Sequence, residues 1–536
     1  MFLLFLCGFY LLISVPCSLA LYVAKDEIVT TRACANPTFA SLKLPNAKVL
    51  SVNSVVAAVS WPASSDLINV FPSTKNGTTE VCQITVMYTH PGQNDTINTW
   101  VWLPLNSWNG RFVGMGGSGW VTGTAGSLAQ PVFEGYSAAS TDGGHSESAT
   151  LESWVLNGDG DINWPLLEDF SSVAVNEAAQ LGKAATKLFY GTSPKYSYFN
   201  GCSTGGRQGH MLAQQFPNQY DGVLAGSPAI NWDEFIPAQY WPPLMMQELD
   251  YYPTACELDA ITELAINACD ALDGAKDGVV AFPGLCHFDP YTMIGKDVLC
   301  ADSNHTIKLS SNSAKFAAAA WAGANSSDGS SLWYGLTHDA PLTGLGGTDC
   351  SSGHCKPTPF FLSTDWIATI LSKDPSLDLS TIDLRSFRHL FQTSVKKFKS
   401  IIGTRDPDLT KFRNAGGKMI TWHGMKDQYA FYNGTVDYYN KVHDLDPRVH
   451  DYYRFFSAPG VEHCGGGPGW FPGDGLNALI DWVENGKAPD TLLGLATPTA
   501  TENADEPIRT ANLCPYPKML TYTKGNIDKA TSFTCR

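Results

Sequence analysis

A glycine-rich turn between a predicted strand and a predicted helix places the strongest restriction on the fold of this chain. Residues 196–201 read as a strand, residues 201–205 spell Gly-Cys-Ser-Thr-Gly, and residues 206–216 have the spacing of a helix. The turn fits the pattern Gly-x-Ser-x-Gly, whose small residues let the backbone bend sharply and expose the serine hydroxyl. In this setting we predict a nucleophilic Ser203, whereas an ordinary glycine-rich turn is the alternative.

Alternating strand and helix signals elsewhere predict an α/β fold. The N-terminal part is rich in strand patterns such as residues 82–90, where apolar and polar side chains largely alternate. Helical spacing with a glycine stop follows at 170–182, and the α/β signal returns at 417–424 and 453–456. Alternation of this kind indicates a parallel sheet.

The stretch between these two α/β parts has a different amino-acid composition. From about residue 228 to residue 402 it is rich in Trp, Tyr, Pro and Ser, and it carries six of the twelve cysteines that follow residue 20. We therefore predict a catalytic body made of residues 21–227 and 403–536. A second domain, residues 228–402, is inserted in it.

The first twenty residues predict a secretory signal peptide. They are apolar and uncharged, and small residues at Ser18 and Ala20 suit cleavage after Ala20. Because basic residues are missing, a membrane anchor is the alternative. No later apolar run is long enough to span a bilayer, so we expect a secreted, extracellular protein that is not a membrane protein.

Composition and cysteine usage agree with a secreted protein. Hydrophobic residues make up 44% and charged residues 16%, which excludes disordered and coiled-coil classes. The net charge of −16 repels phosphate backbones, so nucleic acid is not an expected partner. The twelve cysteines left after the signal fit a disulfide framework. Asn-x-Ser/Thr sequons predict glycosylation at Asn76, Asn94, Asn304, Asn325 and Asn433.

A serine nucleophile needs a base and an acid that orients it. In an α/β fold with a strand–turn–helix serine, the chain order is serine, acid, histidine. Asp427 follows a predicted strand at 418–425, and His463 follows another at 452–456. Parallel strands end at the edge where open α/β sheets place their sites, so we predict that Ser203, Asp427 and His463 form a triad.

Other residues compete for these roles. His423 precedes Asp427 in the chain, so we interpret it as packing at the strand end. Asp437 and Glu462 are weaker candidates for the acid.

Cysteines flank both the proposed nucleophile and the proposed base. Cys202 precedes Ser203, and Cys464 follows His463. If the serine and histidine are within hydrogen-bond reach, a Cys202–Cys464 disulfide could tie them together. The alternative is that both are buried thiols or pair elsewhere.

Together these features resemble the tannase and feruloyl esterase family of serine hydrolases. The resemblance covers nearly the whole chain after the signal and is carried by the stretches 199–209, 220–229 and 416–427. It implies an α/β-hydrolase fold with a large inserted lid domain, which matches residues 228–402. It also implies the triad roles above and the Cys202–Cys464 link.

Further disulfides follow from the same resemblance. It implies the pairs Cys269–Cys286 and Cys514–Cys535, and it leaves Cys34–Cys82 near the N-terminus. The last four cysteines, Cys256, Cys300, Cys350 and Cys355, can pair in three ways. The arrangement that contains a Cys350–Cys355 bond is favoured.

The acidic segment 269–279 suits a calcium ion, because it gathers hard oxygen ligands on a loop with glycines. Its spacing is not that of an EF-hand, and a solvated acidic turn fits the composition equally well. The resemblance identifies it as the family's lid calcium loop, with a structural role. The implied ligands are the side chains of Asp270, Asp273 and Asp277 and the carbonyls of Ala275 and Val279.

Ester hydrolysis also needs two backbone donors for the oxyanion. We expect the first from Thr204, the residue after the nucleophile. The glycine loop at 114–119 should supply the second. Gly117 is the first choice, with Gly116 and Ser118 as alternatives, although a flexible glycine turn is also conceivable.

These predictions describe a secreted serine carboxylesterase that needs no organic cofactor. The resemblance implies small aromatic esters of plant cell walls or tannins as substrates: hydroxycinnamates such as ferulate first, gallate esters second, and esters of other secondary metabolites third. A glycan-binding protein on an inactive hydrolase scaffold is the non-enzymatic alternative. The oligomeric state is not indicated. Aromatic residues of the inserted domain either wall the pocket or form that domain's core: Trp232, Phe235, Tyr240 and Trp241.

Overall fold

The computed structural model describes residues 33–61, 77–300, 305–496 and 508–536. The predicted signal peptide and the sequons at Asn76 and Asn304 lie outside these residues. Within them the strands are β1 (Lys48–Trp61), β2 (Gly77–Thr89), β3 (Ile97–Pro104), β4 (Arg111–Met115), β5 (Ser137–Thr141), β6 (Tyr196–Cys202), β7 (Gly222–Gly226), β8 (Asp297–Cys300), β9 (His305–Lys308), β10 (Thr348–Asp349), β11 (Lys356–Pro357), β12 (Lys418–Gly424), β13 (Tyr453–Ala458), β14 (Trp470–Pro472), β15 (Leu492–Ala496), β16 (Thr510–Leu513), β17 (Leu520–Tyr522) and β18 (Phe533–Cys535).

Helices connect and cover these strands. The α-helices are α1 (Asn36–Phe39), α2 (Ala129–Phe133), α3 (Leu151–Val155), α4 (Trp164–Ser171), α5 (Val173–Tyr190), α6 (Thr204–Gln215), α7 (Trp232–Ala238), α8 (Trp241–Leu249), α9 (Ala255–Cys269), α10 (Ser311–Ala322), α11 (Thr343–Gly346), α12 (Phe361–Asp365), α13 (Leu384–Phe398), α14 (Thr410–Asn414), α15 (Tyr432–Leu445) and α16 (Gly475–Asn485). A π-helical turn at Trp366–Leu371 follows α12. None of the helices in the described ranges is long and apolar enough to cross a membrane.

A nine-stranded sheet forms the centre of the body. Its order is β1-β2-β3-β5-β4-β6-β7-β12-β13. The strands from β5 to β13 in this order pair in parallel, whereas β1, β2 and β3 pair antiparallel. The β7–β12 pairing joins the two halves of the body into one sheet, and the predicted parallel α/β sheet is confirmed.

Both faces of the parallel strands are buried, which explains their nearly continuous apolar sequences. Consecutive residues point to opposite faces, so Phe199 and Val223 pack into one core while Tyr198 and Leu224 pack into the other. Helices α5 and α6 cover the first face, and α16 covers the second. Gly191 ends α5 in a left-handed conformation (φ 76°), as glycine does at many helix ends.

The inserted segment, residues 228–402, adds no strand to the nine-stranded sheet in its described part. It contains α7 to α13 and the small hairpins β8–β9 and β10–β11. Its core, around Trp232, Trp366 and Phe387, is continuous with Trp120 and Phe170 of the body. The boundaries at 228 and 402 stay a prediction, but this stretch packs on the body through a shared core.

The described cysteines form six disulfides. The pairings implied above are all present, and the four open cysteines pair as Cys256–Cys300 and Cys350–Cys355. One pair joins two distant parts of the body, because Cys202 and Cys464 are 262 residues apart in the sequence.

Candidate active site

The glycine-rich turn places Ser203 between β6 and α6. Ser203 has φ 61° and ψ −120°, a strained conformation for a residue with a side chain. Its amide donates to the carbonyl of Gly226 at 3.0 Å, which holds the turn against β7. A Cβ atom on Gly201 would lie 2.7 Å from the backbone of Gly205, so the turn has no room for larger residues there.

The structure brings the three predicted triad residues to one edge of the sheet. His463 Nδ1 lies 2.8 Å from Asp427 Oδ2. The other oxygen, Oδ1, accepts the amides of Tyr429 and Ala430 at 2.9 and 2.8 Å, which fixes the carboxylate. Ser203 and His463 line the same cavity. Beside them the Cys202–Cys464 disulfide holds the two backbones with a Cα–Cα distance of 5.9 Å.

His423 has a contact that sequence reasoning missed. It is fully buried at the end of β12, as expected, but its Nε2 lies 3.1 Å from Asp427 Oδ2 and 3.0 Å from the carbonyl of Ala430. Both of these atoms are acceptors, so Nε2 carries a proton and donates it. Nδ1 lies 2.8 Å from the Thr435 hydroxyl, which orients the ring.

The rival acids have other partners. Asp437 pairs with Lys441 at 2.6 Å, and Glu462 pairs with Lys426 at 3.6 Å. The acid that contacts His463 is therefore Asp427.

Two histidines keep Asp427 ionised. Burial disfavours the charged carboxylate, but the charge of His463 and the hydrogen bonds of His423 and His463 outweigh it, so the pKa of Asp427 is held well below its usual range. An ionised acid at this place stabilises positive charge on the His463 ring.

The amide that the sequence predicted as the second oxyanion donor, that of Gly117 in the loop after β4, is already hydrogen-bonded. The Gly117 amide donates to Gln208 Oε1 at 3.0 Å, and Gln208 Nε2 donates to the carbonyl of Thr122 at 2.9 Å. The Gln208 side chain thus holds both ends of this loop against α6. Because its amide hydrogen is already used, the structure does not support Gly117 as an oxyanion donor.

The alternative donors are engaged as well. The Gly116 amide donates to the carbonyl of Asn200, and the Ser118 amide donates to the carbonyl of Val121. The next amide, that of Gly119, has no acceptor in the described part of the chain. The Gly119 carbonyl accepts the Thr204 hydroxyl at 2.7 Å, so this residue lies directly beside the turn.

A cavity of about 950 Å³ opens over Ser203 and is walled by both the body and the inserted segment. Of the four aromatic residues expected there, Phe235 lines it. The other three, Trp232, Tyr240 and Trp241, are buried in the core of the inserted segment. Their bulk is used to pack helices together rather than to contact a ligand.

Aromatic wall residues that the sequence did not single out are Phe360, Phe361 and Tyr429. No local pattern distinguishes them from neighbouring core aromatics, because they reach the cavity only through the tertiary fold. Three carboxylates line the cavity: Asp365 is half-buried in the wall, and Glu147 and Glu152 are exposed. Uncharged polar side chains of the wall are Ser118, Thr150 and Gln239. Burial raises the pKa of Asp365, while a hydrogen bond from Trp120 opposes this effect.

The predicted calcium loop presents carboxylate oxygens that lack partners. Asp273 Oδ1 accepts the amide of Ala275, and Asp270 Oδ1 accepts those of Asp277 and Gly278. Asp273 Oδ2 and Asp277 Oδ2 are buried without a hydrogen bond. Burial, reinforced by the neighbouring carboxylates, raises the pKa of Asp273 to about 7 and that of Asp277 to about 6. Unpartnered buried oxygens of this kind fit a hard cation.

A second group with metal-capable side chains is His90, Asp95 and Asp169. His90 Nδ1 lies 2.5 Å from Asp95 Oδ2, and His90 Nε2 lies 3.0 Å from Glu177 Oε1. Both ring nitrogens are thus already hydrogen-bonded, so we describe the group as a buried polar network. Burial raises the pKa of Asp169 to about 8.

Known proteins resemble this chain over most of its length. A family model described as "Tannase and feruloyl esterase" matches residues 82–536. A probable feruloyl esterase of Arthroderma benhamiae is 39% identical over 92% of each chain. A mono(2-hydroxyethyl) terephthalate hydrolase of Piscinibacter sakaiensis is 30% identical over 80% of this chain and 79% of that protein. The solved tannin acyl hydrolase from Aspergillus niger has a TM-score of 0.83 at 28% identity, over 95% of this chain and 94% of its own. The predicted α/β-hydrolase fold is thereby confirmed.

Proposed function

Because the chain belongs to the tannase and feruloyl esterase family and is a carboxylic ester hydrolase of that type, we propose that it cleaves esters of hydroxycinnamic acids such as ferulic acid. The observation that carries the proposal is the His463–Asp427 pair beside Ser203 in an aromatic-walled cavity. A glycan-binding protein on an inactive scaffold would not require this arrangement, so that alternative is not retained.

In the proposed reaction, Ser203 Oγ attacks the ester carbonyl carbon while His463 Nε2 accepts the serine proton. Asp427 keeps Nδ1 protonated and stabilises the charged ring. The alcohol leaves with the proton from His463. Water then attacks the acyl-enzyme as His463 takes its proton, and the carboxylic acid is released from Ser203.

Backbone amides stabilise the negative oxygen of each tetrahedral intermediate. The Thr204 amide lies at the first position of α6, where no helical acceptor exists and the helix dipole favours negative charge. We infer that the second donor is the Gly119 amide, in place of Gly117. The reaction needs no organic cofactor.

Gallate esters are the second candidate substrates, because the solved neighbour from Aspergillus niger is named a tannin acyl hydrolase. The relative from Piscinibacter sakaiensis is named for mono(2-hydroxyethyl) terephthalate, which is also an ester of an aromatic acid. An aromatic acyl group is common to all three substrates, and the aromatic walls of this cavity suit one.

The proposal is tested by initial hydrolysis rates on methyl ferulate, methyl gallate and p-nitrophenyl acetate. We expect the highest kcat/KM on methyl ferulate and a loss of roughly 10⁴-fold or more in kcat in Ser203→Ala. Preference for methyl gallate would assign the tannase activity instead. Equal rates in the variant and the wild-type protein would contradict the triad.

We also propose that the acidic loop at 269–279 binds a structural calcium ion, held by the five groups that the family resemblance implies. The two unpartnered buried oxygens support this site. A bound ion stabilises the folded state, because the unfolded chain does not form the site. We expect Tm to fall by several degrees on adding EGTA and to recover with excess Ca²⁺. Asp273→Asn should have a lower Tm that EGTA no longer changes, whereas a wild-type Tm indifferent to EGTA would refute the site.

Secretion and glycosylation remain proposals. The six disulfides fit an oxidising compartment. Asn94 and Asn433 are exposed and therefore accessible to glycosylation, whereas Asn325 Oδ1 accepts a hydrogen bond from Arg388 at 3.2 Å. Mass spectrometry before and after deglycosylation would identify the modified asparagines.

A further inference from the structure

A row of aromatic side chains leads along the cavity wall away from the catalytic histidine. The Tyr429 ring lies edge-on to the His463 ring, with centroids 5.7 Å apart. Tyr429 stacks on Phe360 at 4.4 Å, and Phe360 contacts Phe361 at 5.0 Å. All of these side chains line the cavity. An aromatic acyl group attached to Ser203 therefore finds apolar surface in this direction.

Asp365 lies next to this row. It follows Phe361 by four residues on α12, so the two side chains share one side of the helix. Asp365 Oδ2 accepts a hydrogen bond from Trp120 Nε1 at 2.9 Å. Its second oxygen has no hydrogen-bond partner among the residues that the structure describes, although the side chain is half-buried. The wall thus contains a carboxylate oxygen that is free to accept a donor from a ligand.

The charge of the cavity is one-sided. Asp365 shares it with the exposed carboxylates of Glu147 and Glu152. None of the described lining residues is a lysine or an arginine. A hydroxyl group on a bound ring can donate to a carboxylate, whereas a second carboxylate there would be repelled and would lose its water without gaining a partner.

We propose that Asp365 is a specificity-determining residue that accepts a hydrogen bond from a phenolic hydroxyl on the acyl ring, and that this cavity selects against acyl groups carrying a carboxylate. The inference deepens the proposed function and rests on it. Trp120 fixes the orientation of Asp365, because the hydrogen bond to Oδ2 leaves Oδ1 for the substrate. Hydrogen bonds to charged acceptors are strong enough to change kcat/KM by about tenfold or more.

The test compares methyl 4-hydroxycinnamate with methyl cinnamate, which differ only in that hydroxyl group. We expect the wild-type protein to favour the hydroxylated ester about tenfold in kcat/KM. In Asp365→Asn the amide oxygen keeps the Trp120 hydrogen bond, but the charged acceptor is lost. The ratio of the two kcat/KM values should then fall to near one. Glu147→Gln is the matched control, since it removes an exposed carboxylate from the same cavity, and it should keep the ratio.

Monomethyl terephthalate tests the second half of the proposal. Its kcat/KM in the wild-type protein should lie at least about tenfold below that of methyl benzoate, which lacks only the free carboxylate, because that carboxylate enters a cavity lined by three carboxylates. An equal or higher value would overturn this selection against anions.

Other outcomes separate this inference from the function it rests on. A wild-type ratio near one, or an equal fall of the ratio in Glu147→Gln, would overturn the role of Asp365. Neither result would affect the proposed function as long as methyl cinnamate is hydrolysed by the wild-type protein and not by Ser203→Ala. Failure of all Ser203-dependent turnover on these esters would overturn both.

Discussion

Asp427 Oδ2 receives two histidine side chains, of which His463 faces the cavity and His423 is buried behind it. The buried ring supplies a hydrogen bond to the same oxygen that holds the catalytic base. It therefore favours the ionised acid and limits the directions in which the carboxylate can turn. His423 is a positioning residue, since it acts on the substrate only through Asp427.

Removing this ring should change the pH dependence of the reaction. In His423→Ala, Asp427 loses a hydrogen-bond donor that lowers its pKa, so this carboxyl group becomes more basic and holds a proton on the His463 ring more strongly. We expect kcat to fall about tenfold, with the acid limb of the pH–rate profile moved to higher pH. His210→Ala is the control, because His210 is equally buried but bonds to the Gly206 carbonyl. A similar displacement of the limb in the control would argue against a specific role.

A buried acid, Asp169, lies close to the point where helix α4 ends and helix α5 begins. Asp169 belongs to α4, is 1% exposed, and lies close to Asp95 and Glu177 around His90. The folded protein binds the Asp169 proton up to about pH 8, whereas the unfolded chain releases it near the ordinary pKa of 3.8. Between these values the folded state binds more protons, so stability falls as pH rises.

Asp169→Asn should remove this loss of stability with rising pH. The variant should gain about 3 °C in Tm at pH 8 relative to the wild-type protein, and much less at pH 4, where the acid is protonated in the folded state. Glu168→Gln, an exposed neighbour on the same helix, serves as the comparison. It removes one charge that raises the pKa of Asp169 but keeps the acid itself, so its pH-dependent gain should be much smaller. Thermal unfolding followed by circular dichroism at both pH values measures the difference. An equal gain at pH 4 would rule out titration of Asp169 as the cause.

The Cys202–Cys464 disulfide connects two parts of the protein that are far apart in the sequence, the end of β6 and the loop that carries His463. Because the two cysteines are 262 residues apart, the bond removes much conformational freedom from the unfolded chain, equivalent to about 5.6 kcal/mol in the chain-entropy relation. The same bond limits how far the nucleophile and the base can move apart.

The double variant Cys202→Ala/Cys464→Ala should therefore lose both stability and rate. We expect Tm to fall by roughly 5 °C or more and kcat to fall about tenfold. The control Cys514→Ala/Cys535→Ala removes a bond with a separation of only 21 residues in the C-terminal part. It should lose stability but keep its kcat at temperatures where it is folded. A control that loses as much kcat would show that the effect is not local.

Local sequence patterns predicted those parts of the site that depend on a few neighbouring residues. Ser203 and Thr204 are set by one glycine turn, and the chain order of this fold placed Asp427 and His463. The sequence favoured Gly117 as the second donor because it does not reveal that the side chain of Gln208 accepts a hydrogen bond from that amide. Sequence patterns did not identify the wall residues Phe360, Tyr429 and Asp365, because these come together only when the inserted segment packs on the body.

The pairing of β7 with β12 has a consequence for the order of assembly. The two strands are adjacent in the sheet, but residues 227–417 separate them in the chain. Within that stretch three disulfides and a large apolar core bring distant residues together. A segment that has already collapsed brings its ends close, and this lowers the entropic cost of joining the strands. We therefore expect that contacts formed within the inserted segment favour the pairing of β12 with β7 during folding.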